Sequence, residues 1–396
     1  MRIGFDARLA WRRGVGTYVA NLLAALSRTD PYNEYFVFSA PPELRKTLGG
    51  KSFRFLGPAT ESSSRMGRTL AKQPAFYEQF WIPSMVLRYG LTLLHYTDNS
   101  ATIAADVPYV VTVHDTMFLR PLRESYPHAT ARQRLLDLYK KWVVPVAARS
   151  ALAVLTVSEF SKRGIVNDLK VPEEKVHVTP EGVDLEAFRP AGKDGKRREG
   201  PPVVLVHAAD DERKNLTNIL KAFRHILKKR PDAILAAMGM DERGIRRSGA
   251  SRLAREWGLT PNLQMLGDVP RKRLRETYLR ADVLLLASRW EGFGLPVLEA
   301  FACGVPVVAS RTTALPEVAG NAAVLADPED PKALAEAVLK VLDSPALARS
   351  LARKGFARAK QFSWDRTARL TLEVYRKAAL ALEYDKQGKR RIAGKD

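Results

Sequence analysis

Short β-branched runs alternate with amphipathic stretches along most of the chain. In the first half, residues 2–6, 35–38, 109–113, 153–157 and 176–179 carry apolar runs that predict strands. Between the first two, Gly16–Leu26 sets Val19, Leu22, Leu23 and Leu26 on one helical face. The pattern stops at residues 190–202, PAGKDGKRREGPP, which are rich in Pro, Gly and charge and have no period. It then starts again, with apolar runs at 203–206, 233–238, 263–266, 283–287 and 305–309 and helical stretches near 215–229, 271–281 and 296–303. From Pro345 onward the chain reads as helical, with Leu370, Val374 and Ala378–Leu382 as its apolar face.

Continuous apolar strands separated by helices are the pattern of a parallel sheet covered on both faces. The fold class is therefore α/β, with two Rossmann-like doubly wound domains. Their expected bounds are residues 1–188 and 202–362, joined by a linker over 189–201. A C-terminal helix with a basic tail over 363–396 is expected to pack back toward the first domain. In open α/β sheets ligands bind outside the carboxyl ends of the strands. The two domains are thus expected to face each other across a cleft, with functional residues just after strands.

Composition narrows the class. Of 396 residues, 46% are apolar and 27% charged, which excludes a disordered or fibrous chain. The single cysteine, Cys303, excludes an intramolecular disulfide and any multi-cysteine metal site. No uninterrupted apolar run approaches the ~20 residues of a membrane span. The start, MRIGFDARLAWRRG, reads as a first strand and not as a signal peptide. A cytoplasmic protein is expected. The net charge is +21, divided as +7 over residues 1–190 and +14 over 191–396. No zinc-knuckle, RNP-type or helix-turn-helix signature accompanies it, so nucleic acid is not the expected partner. A solvated basic face and an anionic membrane surface remain as readings of the charge.

The residues after strands carry the candidate chemistry. Ser288–Ser310, SRWEGFGLPVLEAFACGVPVVAS, follows the run 283–287. It holds two carboxylates, Glu291 and Glu299, around a loop of Gly292, Phe293, Gly294 and Leu295. Pro296 then opens a helix whose free N–H groups suit phosphate oxygens. Glu299, nearly a turn inside that helix, is placed to point back toward the bound group. After the run 203–206, Asp211-Glu212-Arg213-Lys214-Asn215-Leu216 opens another helix, and a lysine there is placed to pair with a diphosphate. Gly14 and Gly16 lie between the first strand and the first helix, and His114-Asp115 follows the run 109–113. A lone Gly-x-Gly is by default a tight turn, and a lone histidine at a strand end is more often structural.

Together these segments resemble the retaining nucleotide-sugar glycosyltransferases of family four, which have the GT-B fold and within which this chain looks most like the mannosyltransferase branch. The resemblance covers nearly the whole chain. Its signature is a pair of glutamates around Gly-Phe-Gly-Leu-Pro, followed by Glu-Ala and Gly-x-Pro-Val, all present here. The resemblance implies that Lys214 and Arg213 meet the donor diphosphate, with amides near Gly16 and Gly294–Leu295. It places Glu299 on the ribose hydroxyls, Glu291 near the donor sugar and His114 near the transferring sugar. Asp115 and Gly14 belong to the acceptor side. Two departures stand out. Many members carry an arginine where this chain has Ala208, and asparagine where it has Glu181. Ser158–Lys162, Pro180–Asp184 and Ala314–Gly320 also match family segments and read as structural turns, Glu317 included.

The expected reaction is sugar transfer from a nucleotide diphosphate sugar to a hydroxyl of a glycan or lipid-linked acceptor, as in cell-surface polysaccharide synthesis. GDP-mannose is the expected donor. A UDP-sugar, or a catalytically silent scaffold of the same fold, is the alternative. No cofactor is expected beyond the donor. No metal is expected either, because the chain contains no Asp-x-Asp triplet and Lys, Arg and helix dipoles can neutralise the diphosphate. Residues 65–88 mix basic and aromatic side chains and read either as an interfacial helix, peripheral on a membrane, or as one buried on the first domain.

Overall fold

The computed structural model describes residues 1–10, 12, 14–48, 52–57, 74–103, 107–122, 130–190, 200–209, 211–240, 244 and 249–393. The linker expected at 189–201 therefore lies largely outside the described residues, as do residues 65–73.

The chain divides into two compact units. One comprises Met1–Leu119, Leu135–Glu181 and Trp364–Asp396; the other comprises Arg120–Arg134 and Gly182–Ser363. The division thus falls ahead of the Pro- and Gly-rich stretch. Residues just after it already pack within the second unit: Val183 N–H donates to the Phe362 carbonyl at 3.1 Å, and Phe188 meets the Tyr278 ring edge-on at 6.1 Å.

The first unit is built on a seven-stranded parallel sheet, ordered β3-β2-β1-β4-β5-β6-β7. Its strands are β1 (Arg2–Asp6), β2 (Glu34–Phe38), β3 (Phe53–Leu56), β4 (Leu93–Tyr96), β5 (Tyr109–Thr112), β6 (Ala153–Thr156) and β7 (Val176–Val178). All seven pair in parallel. β4, β5 and β6 are buried at every position, which is why β5 and β6 read as unbroken apolar runs. The helix Val15–Thr29 buries Val19, Leu22, Leu23 and Leu26, the face its spacing predicts.

The second unit carries a six-stranded parallel sheet, ordered β10-β9-β8-β11-β12-β13. Its strands are β8 (Val203–His207), β9 (Ile234–Met238), β10 (Leu263–Gly267), β11 (Val283–Leu286), β12 (Val307–Ser310) and β13 (Val324–Ala326). This is the doubly wound order, which reverses between β8 and β11. One apolar core joins β8, β9 and β11 to the helices Leu216–Leu227 and Pro331–Asp343.

The last helix, Trp364–Ala393, returns to the first unit and packs along Val15–Thr29. Its buried face is Trp364, Thr367, Ala368, Thr371, Leu372, Val374, Tyr375 and Ala378. Val374 and Ala378 of the predicted stripe lie on this face, but Leu370 is only half-buried and Leu380 is 65% exposed. Thr367, Ala368 and Thr371 also lie on this face, and threonines carry no apolar signal, so apolarity alone marks only part of it.

Residues 74–89 form a short helix, a π-helical turn at Tyr77–Trp81 and the helix Ile82–Tyr89. Tyr77, Ile82 and Met85 are buried, whereas Phe80 and Leu87 are exposed. The turn is held by Glu78, only 3% exposed, which accepts bonds from Arg8, Ser100 and Tyr139. A buried carboxylate is tolerated only when so satisfied. Here it ties the loop after β1, the loop after β4 and the helix Ala131–Ser150 together. Among the described residues, no helix is long and apolar enough to cross a membrane.

Candidate active site

In the second unit the sheet order reverses between β8 and β11, so the loops after these strands open a crevice at their carboxyl ends. The β8 loop is built by its own side chains. Asp211 accepts the Arg213 amide at 3.0 Å and caps the single turn Glu212–Lys214. Asn215 then adopts a left-handed φ of 57°. Its buried amide group donates to the Ala287 carbonyl at 3.0 Å and the Pro328 carbonyl at 2.6 Å. The Arg289 amide donates to the Arg213 carbonyl at 2.7 Å, closing the β8 loop onto the β11 loop.

That closure brings Lys214 and Glu291 together. Lys214 Nζ lies 2.7 Å from Glu291 Oε1, with side chains 20% and 14% exposed. Burial works to raise the Glu291 carboxyl. Lys214, by its charge and its hydrogen bond, and Arg213 outweigh it and hold the group below the usual carboxylate range. The sequence marks both residues, but not that they bond each other.

The loop Gly292–Leu295 turns from Glu291 into the helix Leu295–Ala302. Gly294 has a φ of 112°, and a Cβ there would stand 2.6 Å from Leu315 Cδ2, so both conformation and space require glycine. Phe293 is buried and meets Phe362 edge-on at 5.9 Å, which anchors the loop. Four residues into the helix, the Glu299 carboxylate accepts the Tyr278 hydroxyl at 2.7 Å on Oε2. Burial raises its carboxyl to about 7, opposed by Tyr278 and Arg271. Glu291 and Glu299 are therefore unlike: one is held ionised by a lysine, the other sits near its titration point at neutral pH.

Arg213 is drawn to its own loop, with Nε 2.7 Å from Asp211 Oδ2. Ala208, where many family members carry arginine, is buried in the core. Arg289 donates from one edge of its guanidinium, Nε and Nη2, to Glu329 at 2.6 and 3.0 Å, and from Nη1 to the Glu212 carbonyl at 3.2 Å. Lys214 is thus the cation that the β8 loop sets against Glu291.

In the first unit the matching position follows β5. His114 is held at three points. Its amide donates to Asn99 Oδ1 at 2.7 Å, its carbonyl accepts the Ser161 hydroxyl at 2.7 Å, and its Nε2 donates to the Thr97 carbonyl at 3.0 Å. Tyr18, from the first helix, meets the imidazole edge-on at 4.9 Å. Glu181, only 6% exposed, sets Oε1 3.8 Å from Nδ1. The turn Pro180–Asp184, read from sequence as structural, therefore also delivers a carboxylate to His114. Asp115 turns to the backbone, accepting the Met117 amide at 3.0 Å. Gly14 has a φ of 70° with open space around it. At Gly16 a Cβ would come within 2.8 Å of the Leu9 and Ala10 carbonyls, so close packing of the chain's own backbone already explains that glycine.

The sequence matches two family descriptions that together cover most of the chain. Residues 12–187 match Glycosyltransferase Family 4, and residues 190–358 match Glycosyl transferases group 1. The O-antigen chain mannosyltransferase B of Escherichia coli is 31% identical over 283 residues, 67% of this chain and 70% of that protein. The chain belongs to glycosyltransferase family 4. The MMP alpha-(1->4)-mannosyltransferase of Mycolicibacterium hassiacum is 32% identical over 280 residues, 68% of this chain and 66% of that protein. A D-inositol 3-phosphate glycosyltransferase of Segniliparus rotundus matches at 32% over 213 residues, and the match spans 47% of its length. Among solved structures, the sucrose-phosphate synthase of Thermosynechococcus elongatus aligns with a TM-score of 0.73 at 21% identity, covering 96% of this chain and all of that one. Anabaena HepE, in complex with UDP and glucose, aligns at 0.70 with 16% identity, covering 95% and 99%. These likenesses place this family 4 member in the GT-B fold.

Proposed function

We propose that this family 4 member transfers a hexose, with retention of configuration and without a metal, from a nucleoside diphosphate sugar to a hydroxyl of a glycan or lipid-linked acceptor. The observation that carries the reading is the Lys214–Glu291 pair, set where the second sheet reverses and next to the N-terminus of Leu295–Ala302. A fixed lysine and free helix N–H groups offer positive potential to the leaving diphosphate. Glu291 lies beside them as a carboxylate able to face developing positive charge on the sugar ring. Glu299 is the acceptor for the ribose hydroxyls, a task suited to a carboxylate. In the first unit, His114 with Tyr18 and Glu181 is the acceptor-side counterpart.

GDP-mannose is the proposed donor, supported by the mannosyltransferase names of two relatives. A membrane-borne acceptor is supported by an exposed stripe on the helix Ala131–Ser150. There Leu135, Leu138 and Trp142 are 68%, 65% and 63% exposed, with Arg132 and Arg134 exposed beside them. An apolar stripe flanked by arginines suits the surface of an anionic bilayer.

The test is a thermal-shift titration with GDP, UDP, ADP and their sugars, followed by donor hydrolysis with and without a chelator. GDP and GDP-mannose are expected to raise Tm most, with hydrolysis unaffected by the chelator. A larger shift with UDP would reassign the donor, and no shift with any nucleotide would make the chain a silent scaffold.

A further inference from the structure

Glu299 is the inner end of a chain of hydrogen bonds. Tyr278, on the helix Arg271–Leu279, is fully buried and sends its hydroxyl to Glu299 Oε2 at 2.7 Å. The same hydroxyl lies 3.1 Å from His207 Nε2, at the last residue of β8. A carboxylate only accepts, so the tyrosine hydrogen goes to Glu299, and the hydroxyl oxygen accepts from His207 Nε2–H. Three elements of the second unit thus meet on one phenolic oxygen.

We infer that Tyr278 and His207 are positioning residues for nucleotide recognition: His207 fixes the Tyr278 hydroxyl, which fixes Glu299 Oε2 and leaves Oε1 to receive the ribose diol. The inference rests on the nucleotide reading above and adds two residues that the loop motifs do not contain. Its reason is geometric. A glutamate carries three rotatable bonds, and without a second anchor its carboxylate must be ordered when the nucleotide arrives, which lowers affinity. Tyr278 orders it beforehand, and a wholly buried tyrosine has no other polar partner to gain from water.

The same chain makes ribose recognition depend on pH. The groups facing Glu299 are Tyr278 and Arg271 on one helix and Cys303 at the end of its own. His207 reaches it through Tyr278, and Arg275 acts on Cys303. Cys303 is pushed up to about 12, chiefly by burial, and stays neutral. Glu299, raised to about 7, must be ionised to accept both hydroxyls. Preference for a ribose should therefore fall as pH drops through 7, by up to tenfold per pH unit. Removing the Tyr278 hydroxyl removes a donor to the ionised form, so the fall should begin at higher pH.

The experiment measures Kd for GDP and UDP and for their 2′,3′-dideoxy counterparts from pH 5.5 to 8.5, using the full chain. The ratio of dideoxy to ribose Kd cancels the titration of the phosphate itself. The wild type is expected to prefer the ribose form by roughly 10–100-fold at pH 8. Tyr278→Phe should cut that preference several-fold and move its midpoint to higher pH. His207→Ala should do the same more weakly, and Glu299→Gln should leave a small, pH-independent preference. Should Tyr278→Phe fail to fold, His207→Ala carries the test alone. A wild-type ratio and midpoint in the folded variants would overturn the inference while the nucleotide reading stands. A wild type that binds neither GDP nor UDP would overturn both.

Discussion

At the scale of the residue, the Lys214–Glu291 pair decides whether the second unit holds an active site. An isolated exposed ion pair contributes little, but this pair is largely shielded, at 20% and 14% side-chain exposure. Its geometry is supplied by neighbours, Asn215 and the Arg289 amide, that have no other evident task. Replacing Lys214 by alanine removes the cation and leaves Glu291 as an uncompensated negative charge where the diphosphate should lie. We expect Lys214→Ala and Glu291→Ala each to lower kcat roughly 10²–10³-fold. The double variant should be only slightly worse than the poorer single one, because partners acting as a unit are not additive. Initial rates with GDP-mannose, beside melting curves showing a folded protein, check this, and near-wild-type turnover in both single variants would remove the pair from the mechanism. Both residues were legible in the sequence because each follows an unbroken apolar run. Their bond was not, nor were Tyr278 and Glu181, because those meetings depend on where distant segments of the chain return.

At the scale of the element, legibility followed burial. β11, VLLL, and β12, VVAS, are buried throughout and stand out as apolar runs. β3, FRFL, buries only Phe53 and exposes its arginine, and β13 is three residues long, so neither rises above its surroundings. β4, LLHY, is broken on paper by His95, although that histidine is wholly inside. The π-helical turn at Tyr77–Trp81 depends on the partners of Glu78 and leaves no periodic trace. The helix Ala131–Ser150 shows the converse. Its Val143, Val144, Ala147 and Ala148 are buried, while Leu135, Leu138 and Trp142, on its earlier turns, face solvent. A stripe left outside a core calls for a partner. If that partner is an anionic bilayer, the protein should co-sediment with phosphatidylglycerol vesicles, and less with phosphatidylcholine or at high salt. Trp142→Ala combined with Leu138→Ser should weaken the association roughly tenfold or more, since each lost side chain removes about 1.5–3 kcal/mol of apolar burial. Both side chains are exposed, so Tm should hardly move, and unchanged sedimentation would leave the stripe to another partner.

At the scale of the whole molecule, the chain ends where it began, with Trp364–Ala393 laid along Val15–Thr29. The return is fixed by more than apolar contact. Arg28 bonds Asp365 at 2.6 Å, and Tyr375 reaches through to His95 Nδ1 at 2.6 Å. The far nitrogen of His95 meets Thr112 Oγ1 at 2.7 Å, and that hydroxyl meets the Tyr18 hydroxyl at 3.0 Å. One buried polar line therefore connects the last helix, β4, β5 and the first helix, ending on the ring that packs against His114. Burial, with some repulsion from His114, lowers His95 to about 3 from an ordinary 6.5. Below pH 6.5 the unfolded chain takes up a proton that the folded unit refuses. Stability from this group is thus complete above pH 6.5 and falls as the pH is lowered toward 3, by about 1.4 kcal/mol per unit. Asp6, raised by burial, acts in the opposite direction, and the depressed carboxyls of Asp98 and Glu291 begin to cost stability only in the acid range below about 4. Glu299, raised to about 7 by burial, also acts in the opposite direction between pH 7 and 4.5, and His177, lowered by burial, adds to the loss, so the share of His95 is read as the difference between the wild type and a variant that cannot titrate there. His95→Gln keeps a donor and an acceptor in place but cannot titrate. Urea unfolding from pH 6.5 to 4.5 should show the wild type losing stability relative to His95→Gln as the pH falls, by up to about 1.4 kcal/mol per unit, while the absolute stability of His95→Gln at pH 7.5 should be lower. An equal slope in both would mean that the acid sensitivity of this unit lies elsewhere than in the line that fastens its last helix.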